Sequence, residues 1–440
     1  MGAITILPAL FTAIATVTVG FREALVYVGL PALVLLPNYY TWSLPGLPDA
    51  SFHNYLLLIL GIALVASRDR SLYRFHPVDL VPLAFLLTTA MSQGQAESLG
   101  AMRHQVASGA MLLIAPWVLG RAAANHSGLL CGIVRCLLLC GAFIGLVAPF
   151  EARFGRNPFD FLRGIWGHDV PWDGALYRLG LRRTAGPLAH PICLGFFYTM
   201  IIPAGYWLVR VRMINRAFGI SCLALCALGL FLTISRGPII SMMLVIVLLW
   251  LTALAHRPHY RSAALVLLVV ATVGCGAALF AYASIGRQEA ASPAQESAAY
   301  RLDMIENYMP LLSERPWLGF GKDLIPVVDG QKSIDNQFLL VALQHGVPAG
   351  ILSLLVVLFP TLMLMQGLRR EGGPEALRSG ARVLIAILLA AVITQLTVFS
   401  GPQTTQILLI FAGAAATVST RIGSGAYTDR QRFLQMGGQP

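Results

Sequence analysis

Charged residues are scarce in this chain. Asp, Glu, Lys and Arg make up 12% of its 440 residues, whereas 57% are hydrophobic and the mean hydropathy is +0.71. Soluble domains carry about 25% charged residues, so the composition excludes an ordinary soluble protein. Apolar runs of about 20 residues, the length that crosses a hydrocarbon core, recur from end to end. We predict an all-α, polytopic protein of about twelve spans, with residues 1–440 as one membrane domain.

The chain also lacks the cysteine spacing of a zinc site or a disulfide framework. All seven cysteines fall inside apolar runs, where they are most simply small buried hydrophobes. Among the basic residues only Lys322 and Lys332 are lysine. The net charge of +11 is scattered along the chain without a basic soluble domain, which argues against nucleic acid and favours contact with anionic lipid.

Short basic loops set the predicted orientation, because Lys and Arg near span ends prefer the cytoplasm. The loops assigned to the cytoplasm are 67–74, the stretch ending at Arg216, 256–261, 369–382 and the tail after Arg421. Counting spans between them places two long polar loops, 150–187 and 286–336, on the external side. Both carry arginine against the usual bias. The N-terminus is also external if both early apolar runs cross, and the side on which it lies stays open.

Arginines gather at the external ends of predicted spans. The apolar runs 217–234 and 238–255 are separated only by Ser235, Arg236 and Gly237. As one helix they would extend about 60 Å, roughly twice the membrane thickness, so the chain must turn back at Arg236. A single arginine at a span end often contacts lipid phosphate alone. Convergence of Arg236 with Arg182 and Arg183 favours a shared anion site, and diphosphate suits paired guanidinium hydrogen bonds.

Four segments resemble, in order, the signature of the O-antigen ligase and Wzy-type polymerase superfamily. They are RTAG followed by HP (183–191), the SR turn (235–236), YRLDMIENYMPLLSERPWLGFGKD (300–323) and DNQFLLVALQHGVPAG (335–350). The resemblance covers residues 180–420. It implies a GT-C-like glycosyltransferase of the bacterial inner membrane that transfers a glycan from undecaprenyl diphosphate to an acceptor at the periplasmic face. It further implies that the enzyme needs no nucleotide sugar, no cofactor and no metal.

Loss of a diphosphate leaving group requires cations for the developing charge and a base for the acceptor hydroxyl. The predicted catalytic residues are Arg183, Arg236 and Asp335. The predicted substrate-binding residues are Arg182, Arg301, His190 and Asn336. Ligases that resemble this chain have histidine at the position of Asp335, which favours a polymerase here. In an alternative interpretation, Asp335 and Asn336 cap the helix that begins at Gln337, and His190 is a second candidate base or is structural.

Three functions therefore stay open. The leading one is a polymerase of O-antigen or exopolysaccharide repeat units, and the second is a ligase that attaches finished glycan to lipid A core. The third is a lipid-linked glycan flippase or other transporter, which would place ionisable groups along a central cavity rather than at one face. The predicted partners are the undecaprenyl-diphosphate-linked donor, a glycan or lipid A core acceptor, membrane lipids and other polysaccharide assembly proteins.

Overall fold

The computed structural model describes residues 2–44, 46–162, 177–255, 287–328, 333–369 and 374–423, with six further positions between 262 and 285. These residues are mostly helical with almost no sheet, which confirms the predicted all-α fold of a polytopic membrane protein. Within the described ranges, six helices are long and apolar enough to cross a membrane, and four shorter apolar helices accompany them.

The N-terminal part of the chain forms six helices and one short hairpin. The helices are α1 (Gly2–Thr18), α2 (residues 21–35), α3 (Asn54–Ala66), α4 (Leu80–Ala96), α5 (Leu99–Ala124) and α6 (Ser127–Phe154). Strands β1 (Thr41–Trp42) and β2 (Ala50–Ser51) pair antiparallel between α2 and α3, with Thr41 opposite Ser51. Single π-helical turns, Leu25–Gly29 and Ala110–Ile114, interrupt α2 and α5. Two 3-10 turns, Arg68–Leu72 and Pro77–Asp79, connect α3 to α4.

The C-terminal part begins with a second hairpin, β3 (Tyr177–Arg178) and β4 (Leu181–Arg182). Its helices are α7 (Pro191–Arg210), α8 (Arg216–Leu232), α9 (Arg236–Ala255), α10 (Pro293–Glu314), α11 (Gln337–His345), α12 (Val347–Arg369), α13 (Glu375–Gln395) and α14 (Pro402–Gly423). The predicted break between residues 217–234 and 238–255 is confirmed, because α8 ends at Leu232 and α9 starts at Arg236.

One end of the helix bundle, which we call the site face, carries the turn between α8 and α9. The loop before α7 reaches this turn through Thr184, whose backbone N–H donates to the Leu232 carbonyl at 3.1 Å. Gln403, in the first turn of α14, donates to the Leu33 carbonyl near the end of α2 at 2.7 Å. The site face therefore contains the ends of four helices, α2, α6, α8 and α13. It also contains the starts of α7, α9 and α14.

The opposite end, which we call the basic face, carries the short arginine-containing connections. Arg22 at the start of α2 pairs with Asp69 at 2.6 Å, in the connection after α3. At the end of α14, Arg421 donates to the Ala124 carbonyl at the end of α5, at 2.5 Å. The first hairpin follows the end of α2 at the site face, and Gly2 lies against the Trp42 ring of this hairpin. The chain thus enters α1 on the site face, as it would if both early apolar runs cross.

The core is densest where α14 packs against α5. Of the most apolar window of α14, 83% is buried. A Cβ atom on Gly120 of α5 would lie 2.0 Å from the Ile410 carbonyl oxygen, and one on Gly413 would lie 2.3 Å from the Trp117 carbonyl oxygen. Small residues at such positions let two helix backbones approach closely, which is how helices associate within a membrane.

The segment 286–336, predicted as a long external loop, contains the 22-residue helix α10. Ser292 caps this helix by accepting a hydrogen bond from the Gln295 backbone at 3.3 Å. Met304 and Tyr308 of α10 pack against Leu339 and Leu343 of α11, and all four side chains are buried. This small core fixes α10 against α11 at the site face.

Two glycines of the segment 315–350 permit a close backbone approach beside α11. Gly319 has φ +66° and Gly346 has φ +88°, both in the region that favours glycine. A Cβ atom on Gly346 would lie 2.1 Å from the Trp317 carbonyl oxygen, and the Val347 N–H donates to the Pro316 carbonyl at 2.7 Å. These glycines therefore fix the end of α11 to the chain that follows α10.

The site face is predicted to be external, and cysteine accessibility tests this. Ala291 is exposed just before α10, and Arg68 is exposed at the basic face. Because an impermeant maleimide cannot cross the membrane, it should label Ala291→Cys in intact spheroplasts and Arg68→Cys only after permeabilisation. The six native cysteines among the described residues are buried and should give a low background. The reverse labelling pattern would invert the orientation.

Candidate active site

A buried arginine holds the turn between α8 and α9. Arg183 donates from Nη2 to Ser235 Oγ at 2.7 Å and from Nε to the Thr233 carbonyl at 3.2 Å. Ser235 in turn donates to the Thr233 carbonyl at 3.1 Å, and Ile234 between them has φ +46°. A β-branched residue rarely adopts that conformation, so the surrounding contacts must hold it. Arg183 is well placed to do so.

Arg183 is only 8% exposed. Burial, and to a smaller extent the charge of Arg178, lower the pKa of its guanidinium to about 10. The group therefore remains protonated at neutral pH. Two nitrogens of the guanidinium already donate to the turn. Arg183 therefore positions the residues around Ser235.

Two other arginines lie at the same turn and are more accessible. Arg178 of β3 donates from Nη1 to the Ile234 carbonyl at 3.0 Å. Its pKa is lowered by burial first and by the charge of Arg236 second, so the two guanidinium groups lie near each other. Arg236 is exposed in the first turn of α9. Neither arginine forms an ion pair with a carboxylate among the described residues. We call Arg178, Arg183 and Arg236 the arginine cluster.

Arg182 lies in a different environment from its neighbour. Its Nη1 donates to the Gly155 carbonyl at the end of α6, and its Nε lies 4.0 Å from Glu151 Oε1. Glu151 is 1% exposed and accepts hydrogen bonds from the backbone N–H groups of Ala185 and Gly186, at 3.1 and 3.0 Å. Arg182 and Glu151 thus fasten the loop before α7 to α6.

Sequence reasoning missed Arg178 and Glu151 as members of this region. The sequence did carry a signal for Glu151, because it is a lone carboxylate at the end of an apolar run and just before an arginine-rich segment. Arg178 carried no signal beyond its place in an arginine-rich loop. Residues 163–176 of that loop lie outside the described residues.

His190 caps α7 and lies close enough to Arg183 to feel its charge. Its Nδ1 accepts a hydrogen bond from the Ile192 backbone at 3.1 Å. Burial, and to a smaller extent the charge of Arg183, lower the pKa of His190 to about 4. The imidazole is therefore neutral at physiological pH.

The helix cap at α11 belongs to Asn336 and not to Asp335. Asn336 Oδ1 accepts hydrogen bonds from the backbone of Phe338 and Leu339, at 3.1 and 3.0 Å. Asp335 lies one residue earlier, where its Oδ1 accepts a hydrogen bond from Ser333 Oγ at 2.9 Å. The interpretation of Asp335 as a cap is thus wrong, whereas for Asn336 it is confirmed. Asp335 is half-buried, and its second carboxylate oxygen accepts no hydrogen bond from the described residues.

Arg301 lies on the same side of the site face as Asp335. Its Nε donates to the Thr397 carbonyl at 3.0 Å and its Nη1 to the Ser297 carbonyl at 3.1 Å. The loop between α13 and α14 that holds Arg301 also contacts α11, since Ser400 Oγ donates to Gln337 Oε1 at 3.3 Å.

The structure brings the predicted residues together in two groups. Arg183 and Arg236 lie at the α8–α9 turn together with Arg178, while Arg301, Asp335 and Asn336 lie around the start of α11. Helices α9 and α13 connect the groups through a 2.6 Å hydrogen bond between Ser241 and Thr394. Among the described residues, no hydrogen bond or ion pair joins Asp335 to an arginine, and no group of His, Cys, Asp and Glu could hold a metal.

Residues 221–354 match a family model described as O-antigen ligase. The match confirms the resemblance to the O-antigen ligase and Wzy-type superfamily. It contains Arg236, Arg301, Asp335 and Asn336, while Arg182, Arg183 and His190 precede it. No curated protein matches the chain.

The neutral state of His190 predicts a pH dependence of stability. The unfolded histidine takes up a proton near pH 6.5, whereas the folded one does so only near pH 4. Folding stability should therefore fall as the pH decreases from about 6.5 to about 4. Asn retains N-capping ability, so His190→Asn should weaken this dependence without removing the cap. Melting temperatures in detergent at several pH values, with exposed His104→Asn as the control, measure the effect. Identical slopes in the parent and His190→Asn would contradict it.

Proposed function

We propose that this membrane protein, whose residues 221–354 are O-antigen-ligase-like, transfers a glycan from undecaprenyl diphosphate to an acceptor sugar. The reaction takes place at the site face, which we assign to the periplasmic side of the bacterial inner membrane. The observation that carries the proposal is the arginine cluster, whose exposed members Arg178 and Arg236 have no partner carboxylate among the described residues.

The arginine cluster suits a diphosphate leaving group. When the acceptor hydroxyl attacks the anomeric carbon, the bond from that carbon to the diphosphate oxygen breaks and negative charge develops on the diphosphate. Arg178 and Arg236 are placed to donate charge-assisted hydrogen bonds to it. Arg183 holds the turn that positions both, so its role is positioning rather than direct contact. Arg182 pairs with Glu151 and holds the loop before α7, so we do not assign it a contact with the donor.

Asp335 is our candidate base. It is not needed for the helix cap, and one of its oxygens has no donor among the described residues. A carboxylate so placed can accept the proton that the acceptor hydroxyl loses during attack. Asn336, with its Oδ1 committed to the cap, fixes the backbone beside Asp335. Arg301 keeps the loop between α13 and α14 against α10 and thereby supports the same region.

Within this function we favour a polymerase of O-antigen or exopolysaccharide repeat units, because Asp335 occupies the position where similar ligases have histidine. The alternative is a ligase that attaches finished glycan to lipid A core, and the description of the matched family favours it. The glycan profile of a deletion strain separates the two. Single repeat units left on the lipid carrier are expected for a polymerase. Full-length chains that remain unattached would contradict the polymerase and support the ligase, and an unchanged profile would contradict both.

Neutralising the exposed arginines should weaken donor binding and transfer. We expect Arg178→Gln and Arg236→Gln each to lower transfer by roughly 10- to 100-fold, the range for loss of a charge-assisted hydrogen bond. Lysine should restore little, because a point charge cannot reproduce forked contacts. Exposed Arg156, beyond the end of α6, provides the matched control Arg156→Gln. Transfer from purified lipid-linked donor in nanodiscs is the measurement, and near-parental rates in both variants would exclude the arginine cluster as the anion site.

Removing the carboxylate of Asp335 should impair chemistry without impairing folding. Asp335→Asn is expected to lower transfer by about 100-fold or more while leaving donor binding intact, since a positioned base contributes that much. The melting temperature should change little because Asn336 holds the cap. Asp335→His should restore part of the activity. Glu314→Gln, at the exposed end of α10, is the control. Full activity in Asp335→Asn would place the base elsewhere.

A further inference from the structure

A second concentration of arginine lies at the basic face, far from the arginine cluster. A cavity of about 980 Å³ opens there between α6, α7 and α8. Four arginines line it: Arg135, Arg210, Arg212 and Arg216. We propose that this cavity binds the phosphate headgroup of an anionic membrane glycerophospholipid.

Arg135 adds a charge from α6 to the arginines of the connection between α7 and α8. It lies inside the apolar run of α6, about 12 Å along the helix from its start at Ser127. A charge at that depth is costly unless the side chain finds a polar partner. Arg135 reaches back to the connection between α7 and α8, where its Nη2 donates to the Met213 carbonyl at 2.5 Å. Arg135 thereby lines the cavity beside that connection.

The connection between α7 and α8 supplies the other three arginines. Arg212 has φ +58°, and the turn is closed by the Met213 N–H, which donates to the Leu208 carbonyl at 3.0 Å. Asn215 uses its side-chain oxygen to cap α8 through the Ala217 and Phe218 backbone. The start of α8 therefore adds its own partial positive charge to the cavity.

Nothing in the described part of the chain neutralises this charge. Arg210, Arg212 and Arg216 are exposed and form no ion pair with a described carboxylate, and no acidic residue lines the cavity. Guanidinium groups gathered around an open cavity are suited to bidentate contacts with phosphate oxygens.

Apolar side chains at the mouth of the cavity indicate a lipid rather than a soluble anion. Tyr206, Phe218 and Ile220 line the cavity and are 48%, 52% and 51% exposed. A free phosphate ion would leave these side chains uncovered, whereas the first methylenes of two acyl chains would cover them. A volume near the upper end of the range of about 300–1,000 Å³ for small-molecule sites accommodates a headgroup with its glycerol.

Native mass spectrometry of the detergent-solubilised full chain tests this assignment. The probes are dioleoylphosphatidylglycerol and dioleoylphosphatidylcholine, which share acyl chains and differ in net charge. We expect at least about tenfold tighter retention of the anionic lipid. Arg135→Gln and Arg212→Gln should each reduce that preference by roughly tenfold, the size of one charge-assisted hydrogen bond. Arg68→Gln removes one exposed charge from the same face outside the cavity, and it should change nothing.

Three outcomes would overturn the assignment. The first is equal retention of the two lipids by the parent protein. The second is a preference that Arg135→Gln and Arg212→Gln lower no more than Arg68→Gln does, since the arginines of the cavity would then not set the preference. The third is displacement of phosphatidylglycerol by inorganic phosphate at constant ionic strength, because the cavity would then bind a free anion. Arg212 is exposed in a connection, so its variant remains informative even if Arg135→Gln fails to fold.

Discussion

The hydrogen bonds from Arg183 to Ser235 and Thr233 are the interaction on which the site face depends. A buried guanidinium is tolerated only when polar partners replace its lost water, and here a hydroxyl and a backbone carbonyl do so. In return, the turn holds Ile234 in a conformation that a β-branched residue rarely adopts. That conformation presents the Ile234 carbonyl to Arg178 and begins α9 at Arg236. The buried guanidinium of Arg183 thus orients the accessible guanidinium groups of Arg178 and Arg236.

The sequence allowed the approximate place of the arginine cluster to be predicted, but not the role of each member. The run from 217 to 255 was too long for one span, which required a turn at Arg236 near the entry to α7. Arg182 and Arg183 looked equivalent because they are adjacent. Successive side chains of an extended segment point to opposite sides, so one pairs with Glu151 and the other supports the turn. The packing of α6 decides which of the two arginines meets Glu151.

The start of α11 shows the same limit for a local signal. Aspartate and asparagine are both favoured caps, so composition could not distinguish Asp335 from Asn336. The distinction depends on backbone dihedrals: Asn336, at φ −140° and ψ 112°, has the extended conformation of a cap. The glycines at 319 and 346 were likewise visible in the sequence, yet their use in a close backbone approach depends on how the chain after α10 packs against α11.

The separation of Asp335 from the arginine cluster has a chemical reason if the two act in one reaction. A carboxylate in contact with a guanidinium has a depressed pKa and is a poor base, and the guanidinium loses charge that it would offer to phosphate. At the same face, Arg182 and Glu151 lie 4.0 Å apart, and both fasten the loop before α7. Asp335 instead bonds to a neutral hydroxyl, and α13 with its following loop connects α9 to α11 through neutral hydroxyl and amide groups. The fold can therefore hold an anion site and a proton acceptor at one face without letting either neutralise the other.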